Sequence, residues 1–265
     1  MSRLCVLGIL GPAVILGLAV LASVPSAASP QKQPPAKKDA PRVLYAVPLV
    51  VRAGEKQKVA LRGKNLAGVK DVTVSGADGK AKVLAARVVT PPGNYPVDRV
   101  GDSEAEIELE LPRDARPGTV TLTAVSPAGE SNAYRLLLRD DLTAEAEKEP
   151  NDGFDQAQPV TVPCAVEATI RSERDVDVFR FDGKKGEKWR VEVQAARYGS
   201  PVDALVTVYD ARKRVLDAAD DTAGTPDPVL VVTLPADGPY FVGVIEAHDL
   251  GGMNFGYRLV LRPER

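Results

Sequence analysis

From residue 42 to the end of the chain, apolar and polar residues alternate in short runs cut by turn-forming residues, a period of two that builds sheets rather than helices. In Lys58-Val59-Ala60-Leu61-Arg62, apolar Val59 and Leu61 point one way, while Lys58 and Arg62 point the other and small Ala60 lies between them. One face of such a strand packs and the other stays wet. Residues 69–74, 107–111 and 120–125 repeat the pattern, and Ala77-Asp78-Gly79-Lys80 and Ala128-Gly129 supply tight turns. No stretch before Asp140 carries a helical period. Beyond it, seven more runs at 165–170, 176–181, 189–196, 204–209, 229–234, 240–245 and 257–261 predict a second set of strands. Asp182-Gly183-Lys184-Lys185-Gly186 reads as a solvated loop between two of them. Many short strands with regular turns make sandwiches, so the expected class is all-β with two β-sandwich domains.

A chain of 265 residues has room for two ordinary cores. The expected organisation is a first sandwich over 42–139, an acidic linker over 140–146 and a second sandwich over 147–265. Ahead of them, Arg3 and an apolar run from Leu4 to Val24 lead to Pro25 and the small residues Ser26, Ala27 and Ala28. This is the pattern of a signal peptide over 1–28, which sends the protein out of the cytoplasm to the periplasm, the cell surface or the medium. The run is also long enough to stay in a bilayer as an anchor if it is not cleaved. Residues 29–41, with Pro30, Pro34, Pro35, Lys37 and Lys38, are too polar to fold and read as a tether. Cleavage leaves Cys164 as the one cysteine, so the cores stand without an internal disulfide, and Cys164 reads as a small buried hydrophobe. The formal charge is −2, or −3 once Arg3 leaves with the leader, which does not suggest a nucleic-acid partner.

Oxygen ligands cluster at the start of the second domain. In an extended chain Glu147, Glu149 and Asn151 share a face, Pro150 biases Glu149 toward extended backbone, and Asn151-Asp152-Gly153 turns the chain back. Further along, Asp175 and Asp177 share a face with Phe179 and Phe181, which puts two carboxylates at the rim of the core. Such acids are either ordinary solvated charges or, taken together, a set suited to calcium, which takes six to eight oxygen ligands.

The stretch from Glu147 to the C-terminus resembles the bacterial pre-peptidase C-terminal domain, a jelly-roll-like sandwich appended to secreted proteases and collagenases. The resemblance rests on Glu149-Pro150-Asn151-Asp152, on Asp175-Val176-Asp177 with Phe179 and Phe181, and on the run from Ala195 through Tyr198, Gly199, Ser200 and Pro201 to Asp203. Asp220-Asp221 and Pro235-Ala236-Asp237-Gly238-Pro239-Tyr240 complete it, and Val178 departs from it where an aromatic is expected. Some relatives bind calcium through the acidic lead-in, which implies a structural calcium ion held here by Glu147, Glu149, Asn151, Asp152, Asp175 and Asp177, with Asp220 and Asp221 as lesser candidates. The first domain resembles immunoglobulin-like sandwiches of the IPT/TIG type through Gly63-Lys64-Asn65-Leu66, Pro117-Gly118-Thr119-Val120 and residues 126–131, a likeness of turns that implies a fold and little function.

Catalytic readings find little to stand on. His248 is the one histidine, in a glycine-ended loop, and no serine sits in a nucleophile elbow. Glu147 and Glu149 lie on a lead-in poorly suited to hold two acids at the separation glycoside hydrolysis needs. Trp189 alternates with Val191 and Val193 and reads as core, with an exposed aromatic face shared with Tyr198 as the other option. The expectation is a non-catalytic exported accessory protein that presents its sandwiches to a protein or polysaccharide partner. A structural envelope spacer and an accessory component of a secreted peptidase system are the alternatives, and an unrecognised hydrolase is the enzymatic one.

Overall fold

The computed structural model describes residues 39–91 and 95–264; the stretch read as a signal peptide, and all but the last residues of that read as a tether, lie outside them. The first sandwich is built from β1 (Arg42–Val47), β2 (Val50–Val51), β3 (Lys56–Lys64), β4 (Asp71–Ser75), β5 (Lys80–Val88), β6 (Ser103–Glu110), β7 (Gly118–Ser126), β8 (Gly129–Glu130) and β9 (Tyr134–Leu138). One sheet runs β1-β3-β6-β5, and the facing sheet runs β2-β9-β7-β4 with β8 against β7. One α-helical turn, α1 (Val97–Val100), lies in the connection between β5 and β6.

Alternation places the core as expected. Val59 and Leu61 of β3 and Ile107 and Leu109 of β6 are fully buried, and they face Val120, Leu122, Leu136 and Leu138 of the other sheet. Burying each such side chain stabilises by about 1.5–3 kcal/mol. The same period puts charge on the outer face. β6 lies between β3 and β5, so Glu104 stands between Arg62 and Arg87, Glu108 between Lys58 and Lys82, and Glu110 between Lys56 and Lys80. The bonds run partly along diagonals, with Lys58 Nζ 2.9 Å from Glu106 and Arg62 Nη1 2.9 Å from Glu104. Cross-strand pairs of opposite charge stabilise a sheet in this arrangement.

The second sandwich contains β10 (Thr143–Ala146), β11 (Gln158–Pro159), β12 (Cys164–Thr169), β13 (Val176–Gly183), β14 (Lys188–Gln194), β15 (Ala204–Tyr209), β16 (Val215–Ala219), β17 (Val229–Thr233), β18 (Gly238–Glu246) and β19 (Gly256–Pro263). Its sheets run β10-β12-β19-β14-β17 and β11-β13-β18-β15-β16. The core between them holds Phe179, Phe181, Trp189, Val191, Tyr240, Phe255 and Tyr257. Trp189 is thus a core residue whose indole packs on Phe181 at 5.3 Å and donates to Glu187 at 3.1 Å. Of the exposed-face alternative only Tyr198 remains outside the core, and it packs on Leu49, Val50 and Leu137 of the first sandwich.

The acidic stretch read as a linker joins the two sandwiches as a strand. β10 pairs in parallel with β12, from Thr143 opposite Cys164 to Ala146 opposite Glu167. Its residues are partly or fully exposed on both faces, which explains why no apolar period betrays an edge strand there. Around it the two sandwiches are bonded directly. Arg258, 1% exposed, pairs with Asp140 at 2.5 Å, and Arg139 pairs with Glu167 at 2.5 Å. The Tyr134 hydroxyl donates to Tyr198 O at 2.6 Å; that of Tyr95 donates to Gly251 O at 2.6 Å and accepts from Gly251 N at 3.0 Å. Gly199 is required at this junction twice over, because its φ is 84° and a Cβ would lie 2.2 Å from Leu44 O.

Candidate metal centre

The lead-in after β10 is fastened to the second sandwich by residues that alternation does not single out. The Gln158 side chain accepts from Lys148 N at 2.7 Å and donates to Ala146 O at 3.1 Å. Val178 N donates to Asn151 O at 2.9 Å, and Phe154 closes the turn by packing edge-on against Tyr209 at 5.0 Å and Phe241 at 5.3 Å. The acids are therefore carried on fixed backbone.

This backbone brings one carboxylate oxygen each of Glu147, Glu149 and Asp177 within 4.8 Å of one another. Asp177 and Asn151 are fully buried, Asp175 is 9% exposed, and the Glu147 side chain is 4% exposed. Asp177 Oδ2 accepts from the buried Tyr257 hydroxyl at 2.5 Å, Asp175 Oδ2 accepts from Arg171 N at 2.5 Å, and Glu149 Oε2 accepts from Asn151 N at 3.1 Å. Three buried oxygens, Glu147 Oε1, Asp177 Oδ1 and Asn151 Oδ1, and the amide nitrogen Asn151 Nδ2 have no hydrogen-bond partner. Buried polar atoms are nearly always satisfied, and the unpaired oxygens of this nest can be satisfied by a proton shared between Glu147 and Asp177 or by a cation. An all-oxygen donor set with neither thiol nor imidazole fits calcium. Asp152 stands apart from the other five: it is exposed and lines a groove with Phe154 on the outer face of the β13-β18-β15 sheet.

The protonation balance reflects the same crowding. Burial, reinforced by the charge of Glu149, pushes Glu147 up to about 7, against a side-chain hydrogen bond with Asp177 and weaker pulls from Thr169 N–H and Arg171. Burial and then the charge of Glu147 hold the Asp177 carboxyl well above the carboxylate range even though Tyr257 donates to it. Carboxylates held this way take up either a proton or a cation. Arg171 is the one cation within ion-pair distance among the described residues, 3.4 Å from Glu147 Oε2 and 3.4 Å from Glu149 Oε1. The sequence reading does not single it out, because a lone arginine in a turn carries no periodic signal.

A second acidic group joins Asp203 to Asp220 and Asp221, of which the last two are exposed. His248 lies beside it with Nδ1 3.4 Å from Asp203 Oδ2, and its side chain is 64% exposed. Cys164 is fully buried among Val166, Val191 and Leu261.

Comparison with known proteins bears on the second sandwich and, for one relative, on most of the chain. Residues 175–246 match the model of the bacterial pre-peptidase C-terminal domain. A Deinococcus radiodurans protein described as a subtilase-type serine protease is 30% identical over 200 residues, covering 72% of this chain and 27% of its own length. Two solved structures are similar at 13% identity. The pre-peptidase C-terminal domain of a Bacillus anthracis collagenase aligns with 44% of this chain and 100% of its own at a TM-score of 0.32. Aeromonas hydrophila PliG, a periplasmic inhibitor of g-type lysozyme, aligns with 46% of this chain and 98% of its own at a TM-score of 0.33. The resemblance read from Asp175-Val176-Asp177 and the Phe179 strand holds at the level of the family model, whose match begins after the acidic lead-in: residues 175–246, the body of the second sandwich, are a bacterial pre-peptidase C-terminal domain.

Proposed function

We propose that this chain is an exported, non-catalytic accessory protein whose second sandwich is fastened to its lead-in by a calcium ion, and whose surfaces meet a protein or polysaccharide outside the cytoplasm. The observation that carries the calcium reading is the convergence of Glu147, Glu149 and Asp177 on one point with buried oxygens left unpaired. Glu147, Glu149, Asn151, Asp175 and Asp177 would hold the ion; the exposed Asp152 would enter only by reorienting. The ion would supply charge neutralisation, tying the segment before Pro150 to the start of β13. The accessory role is supported by the domain family and by His248, which stands in an exposed loop bonded to acids rather than to a nucleophile. Export is supported by the apolar leader with its small-residue end.

The direct bonds between the sandwiches, through Tyr95, Tyr134 and Arg258, also favour a spacer role in which the two move together. The test of the calcium reading is thermal unfolding of the protein in EDTA and in millimolar calcium, beside Asp177→Asn. At a calcium concentration a hundred times Kd, binding stabilises by about 2.7 kcal/mol, or roughly 5–10 °C in the midpoint for a chain of this size. Asp177→Asn should lose most of that rise. Superimposable curves for the unmodified protein would remove calcium from the account and leave the acids as charges held near neutrality by protons.

A further inference from the structure

We propose that Arg171 is the resident cation of the acidic nest, a guanidinium that holds Glu147 and Glu149 when no divalent ion is bound and is expelled when one binds, so that it sets the calcium threshold. This inference rests on the calcium reading above.

Three features of Arg171 support displacement rather than permanent pairing. Its guanidinium straddles both acids, with Nη2 3.4 Å from Glu147 and Nε 3.4 Å from Glu149. These separations are ion pairs without hydrogen bonds, since a charge-assisted N–H···O bond closes to about 2.7–2.9 Å. The side chain is also 49% exposed, so water stands ready to receive it when it swings out. By contrast, the guanidinium of Arg258, 1% exposed, makes hydrogen bonds to Asp140 and Gln194.

The post that carries this arm is rigid. Arg171 N donates to Asp175 Oδ2, Ile170 N donates to Phe255 O at 3.1 Å, and Gly252 N donates to Ile170 O at 2.8 Å. Gly251 packs so tightly on the next residue that a Cβ there would lie 1.9 Å from Ser172 O. Backbone bonds thus fix where the guanidinium starts, and only the side chain has freedom to leave.

Charge decides the competition. Arg171 brings a single positive charge to a nest of four carboxylates, Glu147, Glu149, Asp175 and Asp177, and reaches only the two outer ones. A calcium ion brings twice the charge and accepts six to eight oxygens at about 2.3–2.6 Å, including inner oxygens that the guanidinium does not touch. The ion gains those contacts and loses the part of its affinity needed to break the two arginine pairs.

The test is calorimetric titration of the chelator-stripped protein with calcium chloride at mildly alkaline pH, for the unmodified chain, Arg171→Ala and Arg174→Ala. Arg174 removes the same charge three residues away from a side chain 83% exposed that pairs with Asp249 instead. The expected result is a calcium Kd roughly five- to tenfold lower in Arg171→Ala, the fold-change for losing two weak ion pairs, with Arg174→Ala within about twofold of the parent. In EDTA, Arg171→Ala should unfold at a lower temperature than the parent, and in saturating calcium the gap should close. The Arg171 Nε–H resonance should exchange with water faster once calcium is added. An unchanged or higher Kd in Arg171→Ala would overturn the proposal, as would an equal gain in Arg174→Ala, which would reduce the effect to general field strength. Absence of calcium binding by the parent chain would instead sink the calcium reading itself, and this proposal with it.

Discussion

Two acidic rows, one in each sandwich, are neutralised in different ways. In the first, Glu104, Glu106, Glu108 and Glu110 run along β6 with basic side chains on the strands to either side, so that pairing register supplies the counter-charge. In the second, Glu147, Glu149, Asp175 and Asp177 are folded inward by a turn and by the end of β13, and Arg171 is the one cation among the described residues that reaches any of them. The first row closes its own account with residues of the chain; the second remains short of positive charge. Acids on the wet face of a sheet are structural when the neighbouring strands complement them, whereas acids turned toward a core without that complement need a proton or, as proposed above, a cation from outside.

Breaking the paired row at its most buried point should have the largest effect. Glu104→Ala strands Arg62, whose side chain is 12% exposed, together with Arg87 on the other side. Removing one partner of a buried pair costs about 3 kcal/mol, and hydrogen exchange of β3 and β6 should speed up equally with and without calcium. If calcium were to rescue this variant, the two acidic rows would be energetically linked, contrary to the comparison.

The second expected effect concerns pH and belongs only to the inward nest. Glu147, with Glu149, Asp177 and Arg171 facing it, has a folded-state pKa raised to about 7, and Asp177, facing Glu147, Asp175 and Tyr257, is raised further. A carboxyl raised on folding contributes stability that is fully present below its ordinary value and is lost as pH rises through the folded one. In EDTA the unfolding midpoint should therefore fall between about pH 5 and about pH 8, and saturating calcium, which prefers the deprotonated acids, should flatten or reverse that slope. A midpoint in EDTA that is flat over this range would mean the nest is already neutralised.

Tyr257→Phe should follow at about 1–2 kcal/mol, since it removes the hydroxyl that donates to Asp177 while keeping the ring in the core. Its cost should shrink in calcium. Smallest of all, Glu108→Gln on the exposed part of the paired row should shift stability by no more than about 0.5 kcal/mol, and high salt should erase the difference.

The sequence makes these two rows unequally legible. Alternation is enough to place Val59, Leu61, Ile107, Phe179 and Phe181 in cores, because a period of two has one geometric meaning in a sheet. It also brings Asp177 to the rim of the second core. It does not identify β10, whose residues are partly or fully exposed on both sides, or β16, whose strand shows five such residues in a row. The nest is legible as a list of acids in an extended lead-in, but not as a shape. Its closure depends on Gln158, Phe154 and Arg171, each brought in by a turn whose path the local sequence does not specify. Asp152 illustrates the limit: the turn that buries its neighbour Asn151 leaves it facing solvent.

Cys164 gives the second sandwich a clock of its own. It is the first residue of β12, opposite Thr143 of β10 on one side and Leu261 of β19 on the other, and burial pushes its thiol up to about 12. A thiol with no exposure and almost no thiolate does not react with an alkylating reagent while these strands stay paired. Each alkylation then marks one opening of the sheet that holds the acidic lead-in, and the sequence places its other cysteine, Cys5, in the leader. Where reclosing outpaces alkylation, the rate of labelling reports the fraction of time this sheet spends open, without any probe having to be introduced.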